Sequence, residues 1–132
     1  MKRNGIRLVA LGGLAVALAL AITLPAGAHK VRFETNLQLK VDVLNDTQAT
    51  YSGKIESPKA SCEIGRTVNL IHAGAVIATA TTDFAGNWTV LGSKPPKGSE
   101  VTAFTPRKVL KKNRKHRHKC APDTATRKVT GP

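Results

Sequence analysis

The sequence predicts an all-β fold: a small antiparallel β-sandwich of about seven strands, stapled by one disulfide. Three observations carry this. Residues 31–43 alternate apolar and polar with a period of two, which puts one face of a strand in a core and the other in water. Short runs rich in β-branched residues follow, punctuated by turn signals such as Asn45-Asp46-Thr47, Ala73-Gly74 and Asp83-Phe84-Ala85-Gly86. Beyond residue 28, no stretch spaces its apolar residues three and four apart as an amphipathic helix requires. Short strands with frequent turns are the pattern of two packed sheets.

The first 28 residues read as a secretory signal rather than as part of the fold. Lys2, Arg3 and Arg7 form a positive head, and residues 8–24 are uncharged and mostly apolar. Pro25 breaks the run, and Ala26-Gly27-Ala28 supplies a small-x-small cleavage pattern. The apolar run falls short of the ~20 residues a spanning helix wants, so no stable membrane span is expected after cleavage. The mature chain then begins at His29 and is expected outside the cell or in the cell envelope. It divides into a domain over 29–121 and a flexible tail over 122–132. Two cysteines, Cys62 and Cys120, in an oxidising compartment predict one disulfide, rather than two free thiols or an intermolecular pair. Closing so long a loop stabilises by about 4 kcal/mol in the chain-entropy model.

The strands follow in order. In residues 31–43 every odd position is apolar except Thr35, and thirteen residues is long for one strand, so a bend is expected near Thr35-Asn36. Residues 49–56 form a second strand, with Gly53 marking a bulge or a close backbone approach. Residues 57–61 are a loop that delivers Cys62. Residues 66–72 and 75–82 form the third and fourth strands. The fourth leads into a tight turn in which Asp83 bonds nearby amides and Gly86 takes a positive φ. Trp88 opens the fifth strand, over 87–91, as a core anchor. Residues 92–99, with Pro95-Pro96 and Gly98, are a loop. The sixth strand spans 100–105 and stops at Pro106. An edge strand is expected around Val109-Leu110, and 123–132 has too few apolar residues to be more than a loose tail.

These residues resemble a known family. Tyr51-Ser52-Gly53-Lys54-Ile55, Cys62 with Arg66-Thr67-Val68-Asn69-Leu70, Thr82-Asp83-Phe84-Ala85-Gly86-Asn87-Trp88, and Cys120 are similar to secreted bacterial domains of the carboxypeptidase-regulatory-like, or transthyretin-like, group. The resemblance covers about residues 49–121. Its most specific part is the Thr-Asp-x-x-Gly-x-aromatic turn between two strands. It implies a seven-stranded Greek-key sandwich of the prealbumin type, non-catalytic, acting as a structural or binding module. It transfers no ligand-binding residues.

Charge supplies the functional candidate. The chain carries a formal net charge of +13. Between residues 107 and 119 lie Arg107, Lys108, Lys111, Lys112, Arg114, Lys115, Arg117 and Lys119, with no acid among them. Such a cluster attracts polyanions and gains much of its binding energy from counterion release. It holds no aromatic residue, so it lacks a platform for base stacking. The expected partners are anionic cell-wall or glycan polymers, or extracellular nucleic acid read without sequence specificity, and the protein is expected to be a monomer. The bland alternative is a solvated loop whose charge only keeps the chain soluble, leaving a structural or partner-binding domain.

Metal chemistry is the weaker candidate. His116 and His118 in an extended strand place their imidazoles roughly 7 Å apart on one side, and imidazole suits copper, nickel or zinc. The surrounding cations repel a dication. His29, at the mature N-terminus, offers an amine beside an imidazole and would need a second histidine, His72, His116 or His118, brought close by folding. No cofactor is expected. No Gly-x-Ser-x-Gly, His-Glu-x-x-His or phosphate-loop motif is present, so the expectation is a non-enzymatic protein.

Overall fold

The computed structural model describes residues 29–112 and 116–131; the segment assigned to the signal lies outside the described residues. Eleven strands form among them: β1 His29–Phe33, β2 Asn36–Leu37, β3 Lys40–Val43, β4 Gln48–Glu56, β5 Thr67–His72, β6 Ala75–Thr81, β7 Asn87–Ser93, β8 Glu100–Thr105, β9 Lys108–Lys112, β10 His116–Cys120 and β11 Asp123–Lys128. A 3-10 turn covers Ala60–Cys62. The fold is all-β, as the alternation predicts, but the strand count corrects the expected seven.

Two sheets face each other. In the first, β4 is central and pairs antiparallel with β7 on one side and with β2 and β3 on the other. The second runs in the order β11-β8-β5-β6, antiparallel throughout. Between them lies the core: Leu37, Leu39, Tyr51, Ile55 and Trp88 from the first, and Val68, Leu70, Ala80, Val101 and Ala103 from the second. The third sheet, in the order β1-β10-β9, is small and carries most of the basic segment.

The long alternating stretch keeps its period but not its continuity. Thr35, Leu37 and Leu39 are buried, and Val41 and Val43 pack against the core. The chain breaks twice, at 34–35 and at 38–39. At the first break β1 leaves the sandwich and joins the small sheet, pairing in parallel with β10. That parallel pair departs from the antiparallel arrangement expected throughout. The polar exception in the pattern marks the departure point: Thr35 faces inward because its Oγ1 accepts from Arg66 Nη1 at 3.3 Å. At the second break Gly53 is required, because a Cβ there would overlap the Gln38 carbonyl oxygen.

The 82–88 turn joins β6 to β7. Asp83 Oδ1 accepts from the amides of Ala85 and Asn87, both at 2.9 Å. Gly86 sits at φ 83° and its carbonyl accepts from the Ile55 amide at 2.8 Å, fastening the turn to β4. Trp88 is buried beside Gly53.

The expected tail is corrected. Residues 123–128 form β11, in register with β8 from Asp123↔Thr105 to Lys128↔Glu100. Val129 is fully buried, and its amide donates to the Ser99 carbonyl at 2.8 Å. The sequence of β11, Asp-Thr-Ala-Thr-Arg-Lys, is polar because it is an edge strand, so hydropathy did not betray it. Asp123 also ties the two sheets, accepting from the Leu37 amide at 2.8 Å.

Candidate functional site

The small sheet is fixed to the sandwich by three devices: a disulfide, a buried arginine and an inward lysine. Cys62 and Cys120 are bonded, with their Cα atoms 5.4 Å apart. Beside them Arg66 is 2% exposed. Its Nη1 donates to the carbonyl of Cys62 at 2.7 Å as well as to Thr35. Its Nη2 donates to the carbonyls of Pro106 at 2.9 Å and Ala121 at 3.0 Å. One guanidinium thus gathers the segments that enter β2, precede β9 and follow β10. Its planar fork of donors suits several carbonyls at once. Burial lowers its pKa from the ordinary arginine value, and carbonyl dipoles stabilise the cation. Lys108 adds the third device: its Nζ donates to the carbonyls of Ser61 at 3.2 Å and Ile64 at 2.8 Å.

The register of the small sheet sorts its residues into two faces. Neighbouring strands in register share a face, and residues two apart along a strand return to it. β1 and β10 align Lys30 with Arg117 and Arg32 with Lys119, so four cations fall on one face. β9 continues that face with Val109 opposite Lys119 and Lys112 in register with Arg117. The other face carries Val31, Phe33, His118 and Cys120. There the Phe33 and His118 rings meet edge to face at 6.1 Å, and Lys59 Nζ lies 6.0 Å from the Phe33 centroid. Lys108 is in register with Cys120, which explains why its amine turns inward to the carbonyls around Cys62.

The electrostatics of the cationic face are repulsive. Like charges directly opposite on neighbouring strands destabilise a sheet, with rows about 4.8 Å apart across strands and charges about 6.6 Å apart along them. None of the three strands contains Asp or Glu. Glu34, just after β1, approaches Arg32 Nε at 3.6 Å, but both side chains are largely exposed, so the pair counts for little.

The eight basic residues expected to act together are therefore divided. Arg117 and Lys119 lie on the cationic face, Lys108 is committed inward, and Arg107 is exposed in the link before β9. Lys111 and Lys112 are placed by register alone, opposite His118 and Arg117. Arg114 and Lys115 lie outside the described residues. Lys30 and Arg32 were missed as members of the patch. The signal was present in the alternation, since both occupy outward positions of a strand, but nothing local says that β1 would meet β10.

Among the histidines, His29 stands in register with His116, and His118 lies two residues further along β10. His72 is elsewhere, with its Nδ1 3.2 Å from the Glu100 carbonyl oxygen. No group of three or more metal-ligating side chains gathers among the described residues. No helix among them is long and apolar enough to cross a membrane. No protein-family model, no curated protein and no solved structure matches the chain.

Proposed function

We propose that the chain is a secreted, monomeric, non-enzymatic β-sandwich module of the transthyretin-like type that binds anionic polymers at the cell envelope through its small basic sheet. The observation that carries the proposal is the register of Lys30 with Arg117 and of Arg32 with Lys119. Four cations held in opposed pairs cost the isolated protein repulsion, and a polyanion laid across them turns that repulsion into attraction. The disulfide, Arg66 and Lys108 tie the small sheet to the sandwich, which lowers the ordering cost that opposes binding. The disulfide also suits an oxidising compartment. The transthyretin-like assignment is supported by the 82–88 turn, which joins two strands and leads into a buried tryptophan.

The test is retention of the mature protein on heparin. Replacing Lys30, Arg32, Arg117 and Lys119 with Gln is expected to move elution to much lower salt. Unchanged elution removes the proposal and leaves a structural or partner-binding domain whose charge is incidental.

A second reading is favoured by the pairing of His29 with His116. With cleavage at Ala28, a free amine and two histidine positions would share one end of the sheet, a donor set suited to copper. Mature protein dialysed against copper would retain a stoichiometric ion under this reading, and none if the pairing is incidental.

A further inference from the structure

Apart from the basic sheet, one groove combines charge with an unsatisfied donor. It opens where the first sheet breaks between β2 and β3, and its volume is about 840 Å³. Gln38, Ser52 and Asn87 line it with neutral hydrogen-bonding groups, and Lys40, Lys54 and Arg127 supply three cations. No carboxylate lines it, although two approach from outside: Asp42 lies 3.7 Å from Lys40 Nζ, and Glu56 Oε1 accepts from Gln38 Nε2 at 2.5 Å. Trp88 also lines the groove. It is 3% exposed, and its indole Nε1 has no hydrogen-bond partner.

A buried indole N–H normally finds an acceptor, because leaving it unmade forfeits the bond without returning it to water. The missing partner here must be an acceptor, since indole only donates. The cations around the mouth select an acceptor that carries negative charge, and the Ser52 hydroxyl and Asn87 amide beside them suit a polyhydroxylated frame, the Gln38 Nε2 being engaged with Glu56. Gly53, in register with Trp88, also lines the groove, with the Gln38 carbonyl packed against it.

We propose that this groove binds a single acidic sugar unit, with its oxyanion held by Lys54 and Arg127 and one of its oxygens accepting from Trp88 Nε1–H. The indole nitrogen is shielded in the unliganded protein, so binding requires the groove wall beside Trp88 to give way. The site uses none of the residues of the cationic sheet and does not rest on the polyanion proposal. A carboxylate and a phosphate on the sugar present the same chemistry, and separate probes distinguish them.

The chain contains one tryptophan, so nitrogen-15 correlation spectra of the mature protein show one indole cross-peak, which reports this site alone. Glucuronate, glucose 6-phosphate and glucose are titrated separately. Expected is a saturable downfield shift of the indole proton with one or both acidic sugars and none with glucose. The Lys54→Gln/Arg127→Gln variant should weaken the response by about tenfold or more, because losing charged contacts worth about 1.4 kcal/mol costs a factor of ten. Its unchanged dispersed spectrum shows that it folds. An indole peak that stays fixed with both acidic sugars overturns the proposal, as does an equal response to glucose or an undiminished response in the variant. The Lys30→Gln/Arg117→Gln variant should keep the shift, whatever happens to heparin retention.

Discussion

Replacing Arg66 with Met should damage the domain far more than removing any other arginine. Arg66 donates to Thr35 Oγ1 and to the carbonyls of Cys62, Pro106 and Ala121, over 2.7–3.3 Å. Methionine fills similar space but leaves those acceptors unpaired, at about 1–3 kcal/mol for each that stays buried. Two effects reduce the sum. Water can reach some acceptors once the fork is gone, and the substitution removes the burden of burying a cation, visible in the lowered pKa of Arg66. A net loss of roughly 3–5 kcal/mol is expected, the usual cost of breaking a buried charged network. Small domains hold only about 5–15 kcal/mol in all, so Tm should fall by roughly 15–30 °C for a domain of this size. The assay is thermal and urea unfolding with the disulfide intact, with Arg127→Met as a control expected within about 0.5 kcal/mol of the parent. A loss below about 1 kcal/mol for Arg66→Met would refute the view that the guanidinium binds the two parts of the fold together.

Other perturbations have readouts of their own. Replacing Cys62 and Cys120 with Ala should cost about 2–4 kcal/mol, measured by urea unfolding against the parent. Gly53→Ala should cost about 1–3 kcal/mol through overpacking, and hydrogen exchange at the Gln38 amide, which donates to the Lys54 carbonyl at 2.9 Å, should speed up. Tyr51 is fully buried, its hydroxyl donates to the Ser93 carbonyl at 2.6 Å, and burial raises its pKa above 10.0. A raised folded pKa gives stability that is complete below the unfolded value and lost as pH rises through the folded one. Stability should therefore decline from about pH 10 upward. Tyr51→Phe should lose about 1 kcal/mol at neutral pH and flatten that alkaline decline, while tyrosinate absorbance of the parent should appear only above the normal range.

The sandwich was legible because its signals are local. Alternation over 31–43 placed Leu37 and Leu39 in the core, and Asp83, Gly86 and Trp88 each do in the fold what their chemistry announces. Three features stayed hidden because they depend on partners distant in sequence. The polarity of β11 matches a loose tail as well as an edge strand, and only pairing with β8 separates the two. Arg66 looked like the first residue of a strand, and nothing nearby says that four acceptors from across the chain would converge on it. The basic segment was visible as composition, yet its division into an inward Lys108 and an outward Arg117 and Lys119 follows from the bulge that shifts β9 against β10 between His118 and Lys119. Lys30 and Arg32 joined the patch through a parallel pairing that no local pattern encodes.

The salt dependence of binding to a single-stranded oligonucleotide, used as a generic linear polyanion, tests the cationic face most directly. Each cation engaged contributes about −0.7 to the slope of log K against log salt. If Lys30, Arg32, Arg117 and Lys119 all engage, replacing the four with Gln should reduce the slope by about 3 units and weaken binding steeply at low salt, with Tm unchanged or raised as the opposed like-charge pairs disappear. A parent that binds with the same slope and affinity as the variant would contradict a role for this face in holding polyanions.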